Sequence, residues 1–162
     1  MFALLFMPLE NEAADRLLIL VRLNRDSQAC FRAAGDGVDD AELTAMFYQL
    51  ARQRGSFADT LQHYLDPRLE RVAVDEPNTR RRPAVQRWWQ ALRQRLSANE
   101  ISYVLRLTER AEDEVLAAYE SVLSSRLAPE LAQTLKQQRD EVVRAGERIH
   151  TLREAWSLRR AS

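Results

Sequence analysis

The feature that most constrains the fold is a long apolar stripe at helical spacing, which occurs four times along the chain. The first stripe runs from Leu17 to Phe31, and the others cover about residues 43–65, 101–122 and 131–156. Apolar residues three or four positions apart form one face of an amphipathic α-helix. No segment shows the alternation of a half-buried strand. The sequence therefore predicts an all-α protein with four long helices.

Capping and turn residues indicate where these helices begin and end. Gly35-Asp36-Gly37 is expected to end the first helix, Asp39 to cap the second, and a Ser97-x-x-Glu100 capping box to precede the third. Pro83 suits the first turn of a shorter helix. We predict long helices over about residues 10–34, 39–65, 97–123 and 127–158, and a short helix from about residue 83 to residue 96.

The lengths of the connections predict the topology. Short connections join the first helix to the second and the third to the fourth, so each pair should be antiparallel neighbours. The second and third helices are separated by a segment of about residues 66–97 that can run the length of a bundle. The expected fold is a ferritin-like four-helix bundle with one long crossover containing a short extra helix. All 162 residues would form one domain.

Composition excludes several classes of protein. The 24 basic and 24 acidic residues leave no net charge that would steer the whole molecule to nucleic acid or anionic lipid. Cys30 is the only cysteine, so neither an intrachain disulfide nor a cysteine zinc cluster can form. The apolar residues 1–7 are too few for a secretory signal or a membrane span. A cytoplasmic protein is the expectation.

Several short motifs carry a resemblance to a known family. They are residues 24–28 (NRDSQ), 31–34 (FRAA), 50–54 (LARQR), 87–89 (RWW), 109–113 (ERAED), 117–120 (AAYE) and 151–153 (TLR). By their order and spacing, the chain resembles a bacterial ferritin-like four-helix-bundle family known only as a domain of unknown function. The resemblance implies a ferritin-like fold and supplies no activity.

The chain departs from that family at positions where a carboxylate-bridged metal site would need ligands. Relatives tend to carry Glu in the first helix where this chain has Gln28 and Ala29. They tend to carry His in the last helix where it has Gly146. These departures weaken a metal-binding interpretation and suggest a degenerate metal site.

Three polar residues interrupt the apolar stripes at a common depth. Gln28, Arg54 and Glu112 each occupy a position where the spacing requires an apolar residue. Facing side chains at that depth of a bundle build metal or ligand sites. We expect a buried polar cluster in which Arg54 neutralises Glu112 and Gln28 satisfies remaining hydrogen bonds. The alternative is that the helices rotate slightly and both charged side chains reach solvent.

A di-metal carboxylate protein binding iron or manganese is the first alternative function. Its ligands would be Glu109, Glu112, Glu147 and His150, since such centres combine glutamates with Glu-x-x-His motifs. The phase of the last helix puts Glu147 and His150 on the flank of its inner face. A paired surface carboxylate and imidazole therefore explains the motif better.

The segment from Arg80 to Arg95 combines arginines with Trp88 and Trp89. Basic residues among aromatics can bind nucleic acid through phosphate contacts and stacking, or lie on an anionic membrane. We favour packing of the tryptophans onto the bundle, with solvated arginines. A nucleic-acid-binding module is kept as the second alternative, and Arg87, Trp88 and Trp89 as an interaction surface.

No phosphate-binding loop, nucleophile elbow or zinc-protease motif occurs in the sequence. The preferred function is a non-catalytic interaction or accessory protein without a cofactor. Its partner would be another protein or a second copy of the chain. The apolar N-terminal residues form one candidate contact surface: Phe2, Leu4, Leu5 and Phe6.

Overall fold

The computed structural model of the chain describes residues 9–65, 91 and 101–162. It contains four long helices: α1 (Asn11–Gly37), α2 (Ala41–Gln62), α3 (Ile101–Leu123) and α4 (Pro129–Ala161). No strand occurs in these ranges. The prediction of an all-α protein with four long helices is confirmed. The predicted short helix from Pro83, and the capping box that precedes α3, lie outside the described residues.

The junction between α1 and α2 differs in detail from the prediction. Helix α1 continues through Gly35 to Gly37. Gly35 serves helix packing, because the ring of Tyr48 on α2 lies directly against it. The N-cap of α2 is Asp40, whose carboxylate accepts a hydrogen bond from the Leu43 N–H at 2.9 Å. The expected cap at Asp39 was therefore wrong by one residue.

Two apolar cores lie along the bundle and show the direction of each helix. We call them the lower core and the upper core. The lower core contains the beginning of α1 and α4 and the end of α2 and α3: Leu17, Leu20, Val21, Phe57, Ala58, Leu61, Leu65, Val115, Tyr119, Val122, Leu131, Leu135 and Val142. The upper core contains the opposite ends: Phe31, Ala34, Val38, Leu43, Met46, Phe47, Leu50, Ala51, Val104, Leu105, Ala145 and Ile149.

Helices α1 and α4 therefore run from the lower core to the upper core, while α2 and α3 run the other way. The end of α2 and the beginning of α3 lie at opposite ends of the bundle. Packing joins α1 to α2, α3 to α4, and α1 to α3. As the two neighbours of α1, α2 and α3 face each other across the bundle centre. No helix in the described ranges combines the length and apolarity needed to cross a membrane.

Two glycines in the helices offer a matched test of this packing. A Cβ atom on Gly35 would lie 2.8 Å from Cε1 of Tyr48, whereas a Cβ on Gly146 would meet nothing within 4 Å. We expect Gly146→Ala to raise the free energy of unfolding by about 0.5–1 kcal/mol through helix propensity. Gly35→Ala should instead lower it, because overpacking costs about 1–3 kcal/mol. Chemical denaturation followed by circular dichroism measures both, and equal stabilisation by the two substitutions would contradict the packing of Tyr48 on Gly35.

Candidate functional site

Buried polar side chains from all four helices meet near the middle of the bundle. We call these six residues the central polar layer: Asn24, Ser27, Arg54, Thr108, Glu112 and Gln138. The members on α1, α2 and α3 fall between the two apolar cores, and Gln138 on α4 lies between Leu135 and Val142 of the lower core. Each lies on the inner stripe of its helix, so the amphipathic pattern that buries the apolar residues buries these as well.

The central contact of this layer is an ion pair between α2 and α3. The side chains of Arg54 and Glu112 are 0% and 3% exposed, and Nη2 of Arg54 donates a hydrogen bond to Oε2 of Glu112. The guanidinium lies between two phenylalanines, with its Cζ 5.9 Å from the Phe31 ring centroid and 5.6 Å from that of Phe57. Arg54 thus extends from α2 towards α3 between the two cores, with Phe31 of the upper core on one side and Phe57 of the lower core on the other.

Burial dominates the electrostatics of this pair. Loss of solvent raises the pKa of Glu112 above its ordinary value, while the charge and hydrogen bond of Arg54 oppose that rise. Three buried atoms of the layer have no hydrogen-bond partner in the described structure: Asn24 Oδ1, Arg54 Nε and Glu112 Oε1. An unpaired buried polar atom costs about 1–3 kcal/mol. These unpaired atoms therefore lower the free energy of unfolding. Such a cost is typical of buried polar groups that serve specificity or binding.

Gln28 does not take the role that the sequence suggested. It is half-buried, and its amide lies over Gly55, where a Cβ would come within 2.5 Å of Nε2. Within the described residues no hydrogen bond joins it to Arg54 or Glu112. Gln53 provides that contact instead, because its Oε1 accepts from Nη1 of Arg54 at 3.1 Å. Its Nε2 also donates to Oε2 of Glu141 on α4 at 2.9 Å.

A second buried network was missed in the sequence. Nδ2 of Asn24 donates to the Tyr119 hydroxyl at 3.2 Å, and that hydroxyl donates to Oε1 of Gln138 at 2.9 Å. The chain of bonds connects α1, α3 and α4. Burial raises the pKa of Tyr119, so the phenol keeps its proton and can act as donor. Gln138 could have been found from the sequence, because it stands three residues after Leu135 and four before Val142 on the α4 stripe.

A more exposed charge cluster joins α3 to α4 above the layer. Nδ1 of His150 donates to Oε1 of Glu109 at 2.6 Å, and Nε of Arg153 donates to Oε2 of the same carboxylate at 2.6 Å. Partial burial would raise the pKa of Glu109. The two hydrogen bonds and the charge of Arg153 outweigh it, so the pKa lies below its ordinary value. His150 itself is exposed, as its position on the flank of α4 predicted.

A groove of about 420 Å³ runs between α3 and α4. Ten residues line it: Glu109, Glu112, Asp113, Leu116, Val142, Val143, Gly146, Glu147, His150 and Thr151. All four side chains of the alternative metal site are therefore brought to one surface. Gly146 is one of these residues, and a Cβ atom at its position would meet nothing within 4 Å.

These residues do not fit a di-metal centre. Glu112 is bonded to Arg54, and Glu109 is held by His150 and Arg153. In the ranges that the structure describes, no group of three or more His, Cys, Asp or Glu side chains is arranged to hold a metal ion. A carboxylate-bridged centre needs several anionic oxygens that converge on one point from facing helices.

Other candidate residues are placed as follows. Cys30 is 2% exposed, and burial raises the pKa of its thiol, so it is a small core residue. His63 is exposed at the end of α2, far from the layer. The candidate interaction surfaces at Arg87, Trp88 and Trp89 and at the N-terminus (Phe2, Leu4, Leu5 and Phe6) lie outside the described residues. So does nearly all of the segment from Arg80 to Arg95.

Similarity to a known protein family covers most of this chain. Residues 12–125 match the family described as Domain of unknown function (DUF2383). The chain belongs to this family. The DUF2383 match includes α2, α3 and nearly all of α1, and hence both partners of the central ion pair, but it ends before α4. A search of curated proteins found no match.

The ion pair makes a specific prediction for stability. We expect Arg54→Met to lower the free energy of unfolding by about 3–5 kcal/mol, because Glu112 is left buried and charged without its partner. The double variant Arg54→Met/Glu112→Leu should recover most of that loss, since an apolar pair of similar volume removes both charges. Urea denaturation of the wild type, both single variants and the double variant measures the coupling. Additive effects would mean that the two side chains do not interact.

The charge cluster of Glu109, His150 and Arg153 predicts how the stability of the fold changes in acid. Glu109 has a folded-state pKa below its ordinary value of 4.5, so its stabilising contribution is complete above that pH. That contribution is lost as the pH falls through the lower, folded-state pKa. Glu109→Gln should therefore flatten the fall in stability below about pH 4.5, whereas Glu114→Gln, at an exposed carboxylate on α3, should not. Urea unfolding between pH 7 and pH 3 measures the difference, and identical acid profiles for wild type and Glu109→Gln would refute it.

Proposed function

We propose that this DUF2383 protein is a ferritin-like bundle that works by binding a partner and performs no chemistry at its centre. The observation that carries the proposal is the buried Arg54–Glu112 pair. Ferritin-like metal proteins build their sites between facing helices in the middle of the bundle. Here a guanidinium lies between α2 and α3 in the middle of the bundle, and it uses the one fully buried carboxylate of the described core.

Charge explains why this arrangement opposes metal binding. Arginine keeps its proton at all physiological pH values, so its positive charge cannot be removed to admit a divalent cation. Repulsion between cations is strong in a site that excludes water. A metal centre would need Arg54 to leave the core and Glu112 to exchange a bonded partner for the ion. We infer that the pair replaces the metal site and leaves it degenerate.

The directions of the helices support the ferritin-like assignment. Because α2 and α3 run in the same direction, the chain between them has to join opposite ends of the bundle. One long crossover of this kind distinguishes ferritin-like bundles from simple up-and-down bundles.

The proposed role is that of a cytoplasmic accessory protein. Its partner would be another protein or a second copy of this chain, and its contacts would use apolar or aromatic residues outside the helical core. The N-terminal residues Phe2, Leu4, Leu5 and Phe6 are one such surface, and Arg87 with Trp88 and Trp89 is another. Aromatic and arginine side chains are the types enriched at protein interfaces.

A di-metal function is retained as a second candidate on one observation. Glu109, Glu112, Glu147 and His150 all line the groove between α3 and α4. If the ion pairs at Glu109 and Glu112 opened, iron or manganese would find oxygen and imidazole ligands there. The nucleic-acid alternative depends on the segment from Arg80 to Arg95, and it predicts an affinity that falls steeply with salt.

Elemental analysis of the purified protein separates the first two functions. After expression in medium supplemented with iron and manganese, we expect folded, helical protein with far less than one metal ion per chain. Near-stoichiometric iron or manganese that is lost in Glu147→Gln, an exposed position whose replacement leaves the central pair intact, would establish the di-metal function instead.

The binding role needs its own measurement. The tagged full-length protein should capture a specific partner from cells of its source, or self-associate in light scattering. We expect Phe2→Ser/Phe6→Ser to weaken that association. Leu158→Ser, at a leucine that is 70% exposed on α4, is the matched control and should leave it unchanged. Equal effects of the two variants would contradict a role for the N-terminal surface.

A further inference from the structure

One face of α4 carries three exposed arginines: Arg144, Arg148 and Arg159. Successive members are four and eleven residues apart, which is close to one and three helical turns, so they share a face of the helix. None of the three forms an ion pair with another described residue. Arg159 lies over the ring of Trp156, with its Cζ 5.5 Å from the ring centroid. We call these three residues the arginine row.

The acidic residues in the same half of α4 lie away from this row. Glu147 lines the groove between α3 and α4. Oε1 of Glu154 lies 3.3 Å from Nε2 of His150, which itself reaches Glu109 on α3. Both carboxylates are therefore directed to the α3 side of the helix. The positive charge of the arginine row is not offset by α4 itself.

The arginine row lies on the side of α4 that faces α2. Glu141, which is three residues before Arg144 and on the same face, accepts a hydrogen bond from Nε2 of Gln53 on α2 at 2.9 Å. In the described ranges, α2 and α4 pack less closely than the other neighbouring helices. We call the surface formed by these two helices the α2–α4 face.

Acidic residues occur on the α2 side of this face. Four of them stand within seven positions at the junction of α1 and α2, with no basic residue among them: Asp36, Asp39, Asp40 and Glu42. Asp39 and Glu42 are exposed and form no ion pair with another described residue. Glu42 is eleven residues before Gln53, which is about three helical turns, so it shares the side of α2 that faces α4.

The two kinds of charge stand at matching levels along the bundle. The hydrogen bond between Gln53 and Glu141 gives a common reference level for the antiparallel helices α2 and α4. At a rise of 1.5 Å per residue, Glu42 lies about 16 Å above that level. Arg148 and Arg159 lie about 10 Å and about 27 Å above it. The acidic end of α2 is therefore level with the arginine row.

We propose that two copies of the chain associate through the α2–α4 face, with Asp39 and Glu42 of each copy on the arginine row of the other. A two-fold axis parallel to the helices, between α2 and α4, places the α2 of one copy opposite the α4 of its partner at the same level. Such an interface is isologous, so every contact between opposite charges occurs twice. Complementary charge of this kind sets the partner and the register of an interface.

The charge pattern favours a second copy over a nucleic acid as the partner. A polyphosphate backbone on the arginine row would also approach Glu42 and Asp39, and like charges that meet in this way are unfavourable. A second copy presents both signs in the required places. The interface uses neither of the proposed partner-binding surfaces, so its failure leaves the proposed function standing.

Sedimentation analysis of the full-length protein over a series of concentrations tests for the dimer. We expect a monomer–dimer equilibrium at low salt. The dissociation constant should rise at least about tenfold between about 50 mM and about 500 mM NaCl, because salt screens exposed ion pairs. A chain that stays monomeric at every concentration, or a dimer that does not respond to salt, would overturn the proposal.

Charge reversal tests which residues meet. Arg144→Glu/Arg148→Glu and Asp39→Lys/Glu42→Lys should each dimerise at least about tenfold more weakly than the wild type, because like charges then face each other. An equimolar mixture of the two variants should form a heterodimer, in which opposite charges meet again. Two monomeric variants whose mixture also stays monomeric would overturn the proposed contact, as would dimerisation of either variant at wild-type strength.

A matched control and a neutral variant protect this test. Arg126→Glu/Lys136→Glu reverses two exposed basic residues near the lower core and should dimerise like the wild type. Equal weakening by this control would overturn the proposal as a nonspecific effect of net charge. Arg144→Gln/Arg148→Gln should weaken the dimer even if a charge-reversed variant does not fold, which circular dichroism would show.

Two further measurements separate this interface from the other surfaces. Association that is lost only in Phe2→Ser/Phe6→Ser, and not in the charge-reversed variants, would overturn this proposal and support the proposed N-terminal surface. Binding of a DNA or RNA oligonucleotide by a monomeric wild type, with loss in Arg144→Glu/Arg148→Glu, would assign the arginine row to nucleic acid and overturn the second copy as its partner.

Discussion

The structure depends on one buried ion pair that crosses the middle of the bundle. Arg54 on α2 reaches Glu112 on α3 while its guanidinium packs between Phe31 and Phe57, one from each apolar core. Taking both charges out of water offsets most of their mutual attraction, so the pair adds little net stability. Its effect is on register, because a shift of either helix by one turn would leave one buried charge without a partner.

Hydrogen bonds around the layer extend that control to the other two helices. Asn24, Tyr119 and Gln138 join α1, α3 and α4 through hydrogen bonds, and Gln53 joins α2 to Glu141 on α4. Every helix thus has a specific polar contact in addition to its apolar stripe. Apolar contacts alone would let a helix slide or rotate at a lower cost in free energy. The same contacts occupy the bundle centre.

The errors of the sequence interpretation have identifiable physical causes. Gln28 is four residues after Asn24 and shares its broad face, but its amide lies over Gly55 on α2, in space that any larger residue than glycine would fill. The glycines at the end of α1 mark its end, at Gly37, but Gly35 lies within the helix, where the ring of Tyr48 packs directly against it. In both cases a glycine acts through a neighbouring helix, and this cannot be read from the local sequence.

The sequence by itself determined the four helices, their apolar faces and the positions of Arg54 and Glu112 within those faces, because helical periodicity is a local property of the chain. The pairing of Arg54 with Glu112 was expected from the sequence, and the structure contains it. Only the tertiary structure decided which other polar side chains meet. It gave Gln53 the contact expected of Gln28, and it linked Asn24 to Gln138 through Tyr119. The groove also arises only in the folded bundle, since its lining residues come from both α3 and α4. Such contacts depend on the distances and rotations between helices, which the packing of the whole core decides.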